Sequence, residues 1–244
     1  VSSTQEGEMS ELAICGHEGL VGVAAVLGMP VLNHRVVVMK AGQAFRLSAA
    51  NFELALARSE ALRRLALRYV QALMAQMAQS IVCSRHHSVL QRLSFWLLFS
   101  QDRAEHAQLK VTHETIAHML GVRRESITQA AGQLQSDGSI KTSRGRISIE
   151  NTTGLASRAC ECYGLLKAEY ARLDQIAPAA SACRISVDRT RDAVSVPDAD
   201  AAQVHSRCLT AKTAANDDDL VLLHGRETLY KSEDACSQFT SDDG

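Results

Sequence analysis

Thr112 to Ile149 read THETIAHMLGVRRESITQAAGQLQSDGSIKTSRGRISI, and their spacing specifies two short helices followed by a hairpin. Thr112 is a side chain that can accept from the first free N–H groups of a helix, and Ile116, Met119 and Leu120 share its inward face. Ala117 leaves room for a crossing partner. Gly121 then supplies a turn where the backbone needs positive φ, with Val122 tucked beneath it. A second helix is expected from Arg123 to Gln135, with Ile127, Ala130, Ala131 and Leu134 inward. Asp137-Gly138 marks a tight turn. Ser139–Thr142 and Arg146–Ile149 read as two strands bent at Ser143-Arg144-Gly145. Two helices across a glycine turn, followed by a β-wing, form a winged helix-turn-helix.

The outward face of the second helix carries Arg123, Arg124, Glu125, Ser126, Thr128 and Gln129. Arg can donate two hydrogen bonds to guanine, Glu can accept from cytosine N4, and Gln can pair with adenine. Ser126 and Thr128 suit phosphate or base edges. Arg144 and Arg146 on the wing are expected to project toward phosphate, and Thr112 at the first helix start is a further expected DNA contact. Any one of these charges is as well explained as a solvated helix end. The combination with turn, buried pattern and wing points to double-stranded DNA.

Upstream, Ser48 to about Ser100 contains neither proline nor glycine. Leu54, Leu62, Leu65, Tyr69, Leu73, Met77 and Ile81 recur at helical spacing, which predicts a long helix whose stripe either packs on the β segment or, as its length favours, forms a dimer seam. Arg85-His86-His87-Ser88 breaks it, and a further helix over Val89–Phe99 carries Leu90, Leu93, Trp96 and Leu97 inward. Residues 1–48 suggest short strands at Glu11–Cys15, Arg35–Met39 and Ala44–Leu47, too few to close a sheet. Residues 175–244, with Pro178, Pro197 and Asp217-Asp218-Asp219, read as a largely disordered tail in which Leu220–Leu223 is the one apolar run.

Charge divides the chain in the same way. The net charge of −1 combines 19 Lys and Arg against 14 Asp and Glu in residues 1–173 with 7 against 13 in residues 174–244. A basic body with an acidic tail results. No run of about 18 apolar residues is present, so no membrane span is expected. The start lacks the pattern of a secretory signal, and a cytoplasmic location is expected. Seven cysteines (Cys15, Cys83, Cys160, Cys162, Cys183, Cys208 and Cys236) form no CxxC pair and read as free thiols. Cys160-x-Cys162 is too tight and isolated in sequence for a zinc site, so no metal is expected. Cys83, His86, His87 and Asp102 are near neighbours in sequence, yet no nucleophile elbow, phosphate loop or HExxH accompanies them. An enzyme is not expected.

Leu120-Gly121-Val122-Arg123-Arg124-Glu125-Ser126 and Lys141-Thr142-Ser143-Arg144-Gly145-Arg146-Ile147 resemble the Crp/Fnr superfamily of bacterial transcription regulators. Gly16-His17-Glu18-Gly19-Leu20-Val21-Gly22 and Ala159-Cys160-Glu161-Cys162-Tyr163 extend the similarity over residues 1 to about 173. The resemblance implies an α+β chain in five parts. These are a partial cyclic-nucleotide-binding-like β-roll sensor (1–50), linking and dimerisation helices (51–87), a winged helix-turn-helix (88–152), a C-terminal helix (153–174) and a disordered acidic tail (175–244). It implies a homodimeric regulator on double-stranded DNA that can contact RNA polymerase. Cyclic-nucleotide binders of the family use a Glu after Gly for the ribose and an Arg-Ser pair for the phosphate. The matching positions here are Val23 after Gly22, and Arg35-Val36, so Arg35 is the candidate effector contact. Val23 cannot accept a ribose hydroxyl, and no cofactor, cyclic AMP included, is expected. Gln129 stands where the family often has Arg, which shifts the expected target sequence. The alternative is a ligand-binding or protein-interaction module whose winged helix no longer binds DNA.

Overall fold

A computed structural model describes residues 1–3, 9–16, 19–29, 35–40, 42–104, 108–174, 193–196 and 219–223. His17, Glu18, Pro30 and Asn33 of the upstream pattern lie outside them, as does most of the acidic tail. Among the described residues the order begins with β1 (Ser2–Ser3), β2 (Met9–Ser10), β3 (Leu20–Val21), a 3-10 turn (Val23–Leu27) and β4 (Gly42–Ser48). The helices α1 (Ala49–Arg58), α2 (Glu60–His86) and α3 (Val89–Ala104) follow. Next come β5 (Gln108–Leu109), α4 (His113–Leu120), α5 (Arg124–Ser136), β6 (Ile140–Ser143) and β7 (Arg146–Ile149). The chain continues through α6 (Thr152–Arg158) and α7 (Cys162–Asp174), with β8 (Ala193–Val196) and β9 (Asp219–Leu223) beyond.

Ser48 caps α1, its hydroxyl accepting from Asn51 N at 3.3 Å. The single helix expected from Ser48 is, however, two. Ser59 leaves the helical region at φ −132° and ψ 103°, and its own hydroxyl caps α2 by accepting from Leu62 N at 3.2 Å. A serine inside a helix-favouring run can serve as a cap wherever packing turns the chain, and no proline or glycine is needed to announce it. The expected stripe divides accordingly. Leu54 lies on α1, Tyr69 is buried, and Ile81 is exposed.

Two of the three expected N-terminal strands do not form. Glu11–Cys15 and Arg35–Val38 are irregular, whereas Ala44–Leu47 lies inside β4. The sheet takes its remaining strands from the far end of the chain, in the order β3-β9-β4-β8, with each pairing antiparallel. The apolar run Leu220–Leu223 therefore pairs between β3 and β4, and those two segments of the expected disordered tail are strands. The rest of residues 175–244 lies outside the described residues.

The core has two parts that meet on α3. Phe52, Leu56, Tyr69, Phe99, Leu166 and Tyr170 belong to the first; Leu97, Ile116, Ile127, Leu134, Ile147 and Leu155 belong to the second. Every residue from Leu93 to Ser100 is buried, so α3 packs all round rather than along one stripe. Burial of each large aliphatic side chain stabilises by about 1.5–3 kcal/mol. Arg103 stacks over the rings of Phe99 (3.3 Å) and Tyr170 (4.2 Å) at the far end of this helix. Buried Gln76 joins α2, α7 and the N-terminal segment. With its amide oriented to suit its neighbours, the oxygen accepts from Ile14 N at 2.6 Å and the nitrogen donates to the Tyr170 hydroxyl at 2.7 Å.

The N-terminal segment also reaches the helix-turn-helix. Glu11 N donates to Met119 O at 3.0 Å, and Trp96 Nε1 donates to Glu11 Oε2 at 3.0 Å. Among the described residues, no helix is long and apolar enough to cross a membrane.

Candidate nucleic-acid interface

The Thr112 hydroxyl accepts from Thr115 N at 3.1 Å and so starts α4. Its buried face presents Ile116, Ala117 and Met119 to the core, with Leu120 half-buried. Gly121 ends the helix at φ 61° and ψ 44°, a left-handed conformation in which a Cβ costs about 1–2 kcal/mol. Val122 N then returns to Ala117 O at 3.0 Å, closing the turn. From α3, the Arg92 guanidinium donates to the carbonyl of Leu120 and fixes this turn against the central helix.

Helix α5 crosses α4 through Ile127, Ala130, Ala131 and Leu134, all buried as expected. Periodicity then forces the opposite face outward. Arg123, Arg124, Glu125, Thr128 and Gln129 are exposed, and Ser126 is half-buried. Arg123 occupies the cap position and is exposed, and it makes no side-chain cap bond to the start of α5.

The wing is a three-stranded sheet in the order β5-β7-β6. Gly145 turns it at φ 73°, and Arg144 and Arg146 are exposed at its tip. Gln135 ties the hairpin to α5: its Oε1 accepts from Thr142 N at 2.9 Å and from the Thr142 hydroxyl. Strand β5 is an addition that the sequence did not announce, since Gln108-Leu109 is too short to show alternation.

Between wing and helices lies a cleft of about 780 Å³ whose walls include Thr112, His113, Glu114, Arg124, Arg144 and Arg146. The structure thus gathers Thr112, Arg124, Arg144 and Arg146 around one concavity, while Arg123, Glu125 and Gln129 lie on the exposed face of α5. Thr128 is already engaged. Its hydroxyl donates to Arg124 O at 3.1 Å, so it accepts from His113 Nδ1 at 3.1 Å. That pairing requires the proton on Nδ1 of His113. Burial, and then the Arg124 charge, hold His113 below the usual imidazole range, which keeps the ring neutral near pH 7. His113 is a site residue that sequence reasoning missed. Its one signal was position, the first residue after the Thr112 cap and therefore beside the start of α5.

Arg35 and Val23 are placed elsewhere. Arg35 is exposed, and its backbone N–H and carbonyl bond Val1 at 2.9 and 2.8 Å. Val23 opens the 3-10 turn and packs against the first core cluster. Sequence reasoning also missed a group away from the wing. Cys83 and His87 at the end of α2 meet Cys160 and Cys162 beside α7, with all four ligand atoms within 4.8 Å of one another. The isolation assigned to Cys160-x-Cys162 holds in sequence but not in space.

Residues 91–158 match the family model of the Crp-like helix-turn-helix domain. No curated protein matches the chain. Among solved structures, one described as a Crp/Fnr-family transcriptional regulator from Eubacterium rectale is similar at 33% identity, covering 38% of this chain and 44% of that one, with a TM-score of 0.33. FixK2 from Bradyrhizobium japonicum is similar at 16% identity, covering 47% and 60%, with a TM-score of 0.43. A CRP-family transcriptional regulator from Thermus thermophilus is similar at 25% identity, covering 41% and 54%, with a TM-score of 0.37. The chain therefore spans less than two thirds of each of these proteins, and the family-model match is confined to residues 91–158. Over residues 91–158 the chain is similar to the Crp-like helix-turn-helix domain.

Proposed function

We propose that this protein is a transcription regulator that binds double-stranded DNA as a homodimer, inserting the N-terminal half of α5 into the major groove and resting the wing on the phosphate backbone. The carrying observation is the outward face of the domain. Arg123, Arg124, Arg144 and Arg146 are all exposed around an uncapped helix N-terminus, and no protein element covers them among the described residues. Glu125 stands within this basic ridge and is exposed. A carboxylate is repelled by phosphate, so its place there fits base reading at cytosine N4 better than plain electrostatic adhesion.

The dimer reading rests on α2. Leu67, Gln71, Met74, Ala78 and Ile81 are exposed or half-buried and recur at alternating four- and three-residue steps. Leu67, Met74 and Ile81 remain 45%, 49% and 62% exposed, respectively, an apolar heptad row of the kind that a second copy of the same helix covers. Such a dimer presents two reading helices about 34 Å apart, which matches an inverted repeat with half-sites one turn apart. Because Val23 offers no acceptor to a ribose hydroxyl, cyclic AMP is expected to leave DNA affinity unchanged.

Selection of bound duplexes from a random library tests this function. Recovery of an inverted repeat with one-turn spacing supports both DNA reading and dimerisation. Enrichment of a single half-site retains DNA reading and removes the dimer. Absence of any enriched sequence removes the function.

A further inference from the structure

Cys83 and His87 lie four residues apart at the C-terminal end of α2, on one face and one turn from each other. Cys160 lies in the short link from α6 to α7, and Cys162, across Glu161, opens α7. Cys83 Sγ is 3.6 Å from Cys160 Sγ, and Cys162 Sγ is 3.5 Å from His87 Nδ1. A tetrahedral ion with Zn–S bonds of about 2.3 Å and Zn–N bonds of about 2.0–2.1 Å holds its ligands about 3.8 Å apart for S···S and about 3.5 Å apart for S···N. The two spacings therefore coincide with the edges of that tetrahedron.

We propose that Cys83, His87, Cys160 and Cys162 bind one zinc ion in a closed, structural Cys3His site that fastens the end of the DNA-binding domain to the seam helix α2. The surroundings suit a metal site. His87 directs Nδ1 at the cluster while its Nε2 meets Glu161 Oε1 at 3.2 Å, the carboxylate–histidine arrangement that orients a ligating imidazole. Gln79 Nε2 donates to Cys162 Sγ at 3.0 Å, a bond that strengthens when the sulfur is a thiolate. The three cysteines are buried and His87 half-buried, so no position remains open to a substrate. Ligand atoms gathered within 4.8 Å of one another fit a single ion and leave no room for a polynuclear iron–sulfur cluster. A disulfide between Cys83 and Cys160 would require the sulfurs to approach to about 2.05 Å, and would leave His87, Glu161 and Gln79 without a part. Zinc uptake displaces three thiol protons to solvent, so affinity rises with pH.

The site has a mechanical consequence. Two ligands sit on the helix that carries the heptad row, and two follow immediately after residue 158, where the Crp-like domain ends. The ion thus fixes the angle at which α5 leaves the dimer.

The test uses the full chain purified under reducing conditions. Elemental analysis is expected to give one zinc per chain. Cobalt(II), added after zinc removal, is expected to give the intense visible bands of a tetrahedral site with thiolate charge-transfer absorption, both abolished by one equivalent of zinc. Cys160→Ser and Cys162→Ser should each lower the charge-transfer intensity, and Glu161→Gln should weaken zinc affinity about 10–100-fold with the spectrum kept. The wild-type cobalt spectrum does not depend on any variant folding. Failure of the reduced chain to take up either ion stoichiometrically overturns the proposal, as does the weak spectrum of an octahedral site or bound iron in place of zinc. DNA binding measured on the same samples separates the two readings, because a chain that binds DNA but takes up no metal overturns the zinc site alone.

Discussion

Arg124 and Arg144 wall the same cleft from opposite sides, one on the reading helix and one on the wing, and their substitution should have different effects. Arg124→Ala is expected to cost about 1–3 kcal/mol of discrimination at one base position, whereas Arg144→Ala should weaken all sequences alike and reduce the salt slope by about 1. Competition binding against single-base variants of the site measures both. Glu11 offers a second residue-scale test. Burial raises its carboxyl from 4.5 to about 7, against the lowering effect of the Trp96 hydrogen bond. The folded state thus holds this proton more tightly than the unfolded chain. Its contribution is fully present below about pH 4.5 and is lost as the pH rises through about 7. Glu11→Gln keeps an acceptor for Trp96 and should flatten that fall, with a gain on the order of 1–3 kcal/mol in thermal unfolding at about pH 8 and little at about pH 4. The exposed face of α5 was legible because it follows from period alone. His113, Glu11 and the cluster of Cys83, His87, Cys160 and Cys162 were not, since each acquires its surroundings from a partner distant in sequence or on a separate element.

Gln135 accepts twice from Thr142 and so ties the wing to α5, beside the core that Ile140 and Ile147 share with Leu134. Gln135→Ala should release the hairpin, costing about 1–2 kcal/mol of stability and lowering DNA affinity without changing base preference. Hydrogen exchange at the Thr142 amide reports the release directly. On α2, Met74→Asp places a charge in the middle of the apolar row and should convert the proposed dimer to monomer in sedimentation at micromolar concentration. Retention of the dimer would place the interface elsewhere. Element boundaries in the domain were readable because capping, turn glycine and inward spacing all agree within 38 residues from Thr112 to Ile149. The break at Ser59 was hidden because serine is equally at home inside a run. The Val36–Val38 run, β-prone by composition, forms no strand, and β4 takes its partners from β8 and β9.

Over the whole molecule, strands separated by more than 140 residues complete one sheet, a pairing that local sequence reading does not reach. Removal of residues 175–244 deletes β8 and β9 and should expose both edges of β4. Amide exchange is expected to accelerate in β4 and remain unchanged in α5, whose buried core runs from Leu93 to Leu155. The basic body should then carry the proposed DNA affinity, and its salt dependence probes the interface most directly. We expect fluorescence anisotropy with a selected duplex to show log affinity falling linearly with log salt, at about −0.9 for each phosphate contacted. In the double variant Arg144→Ala, Arg146→Ala the slope should be shallower by about 2 per protomer. Affinity that is independent of salt, or a slope unchanged in the double variant, would contradict the interface described.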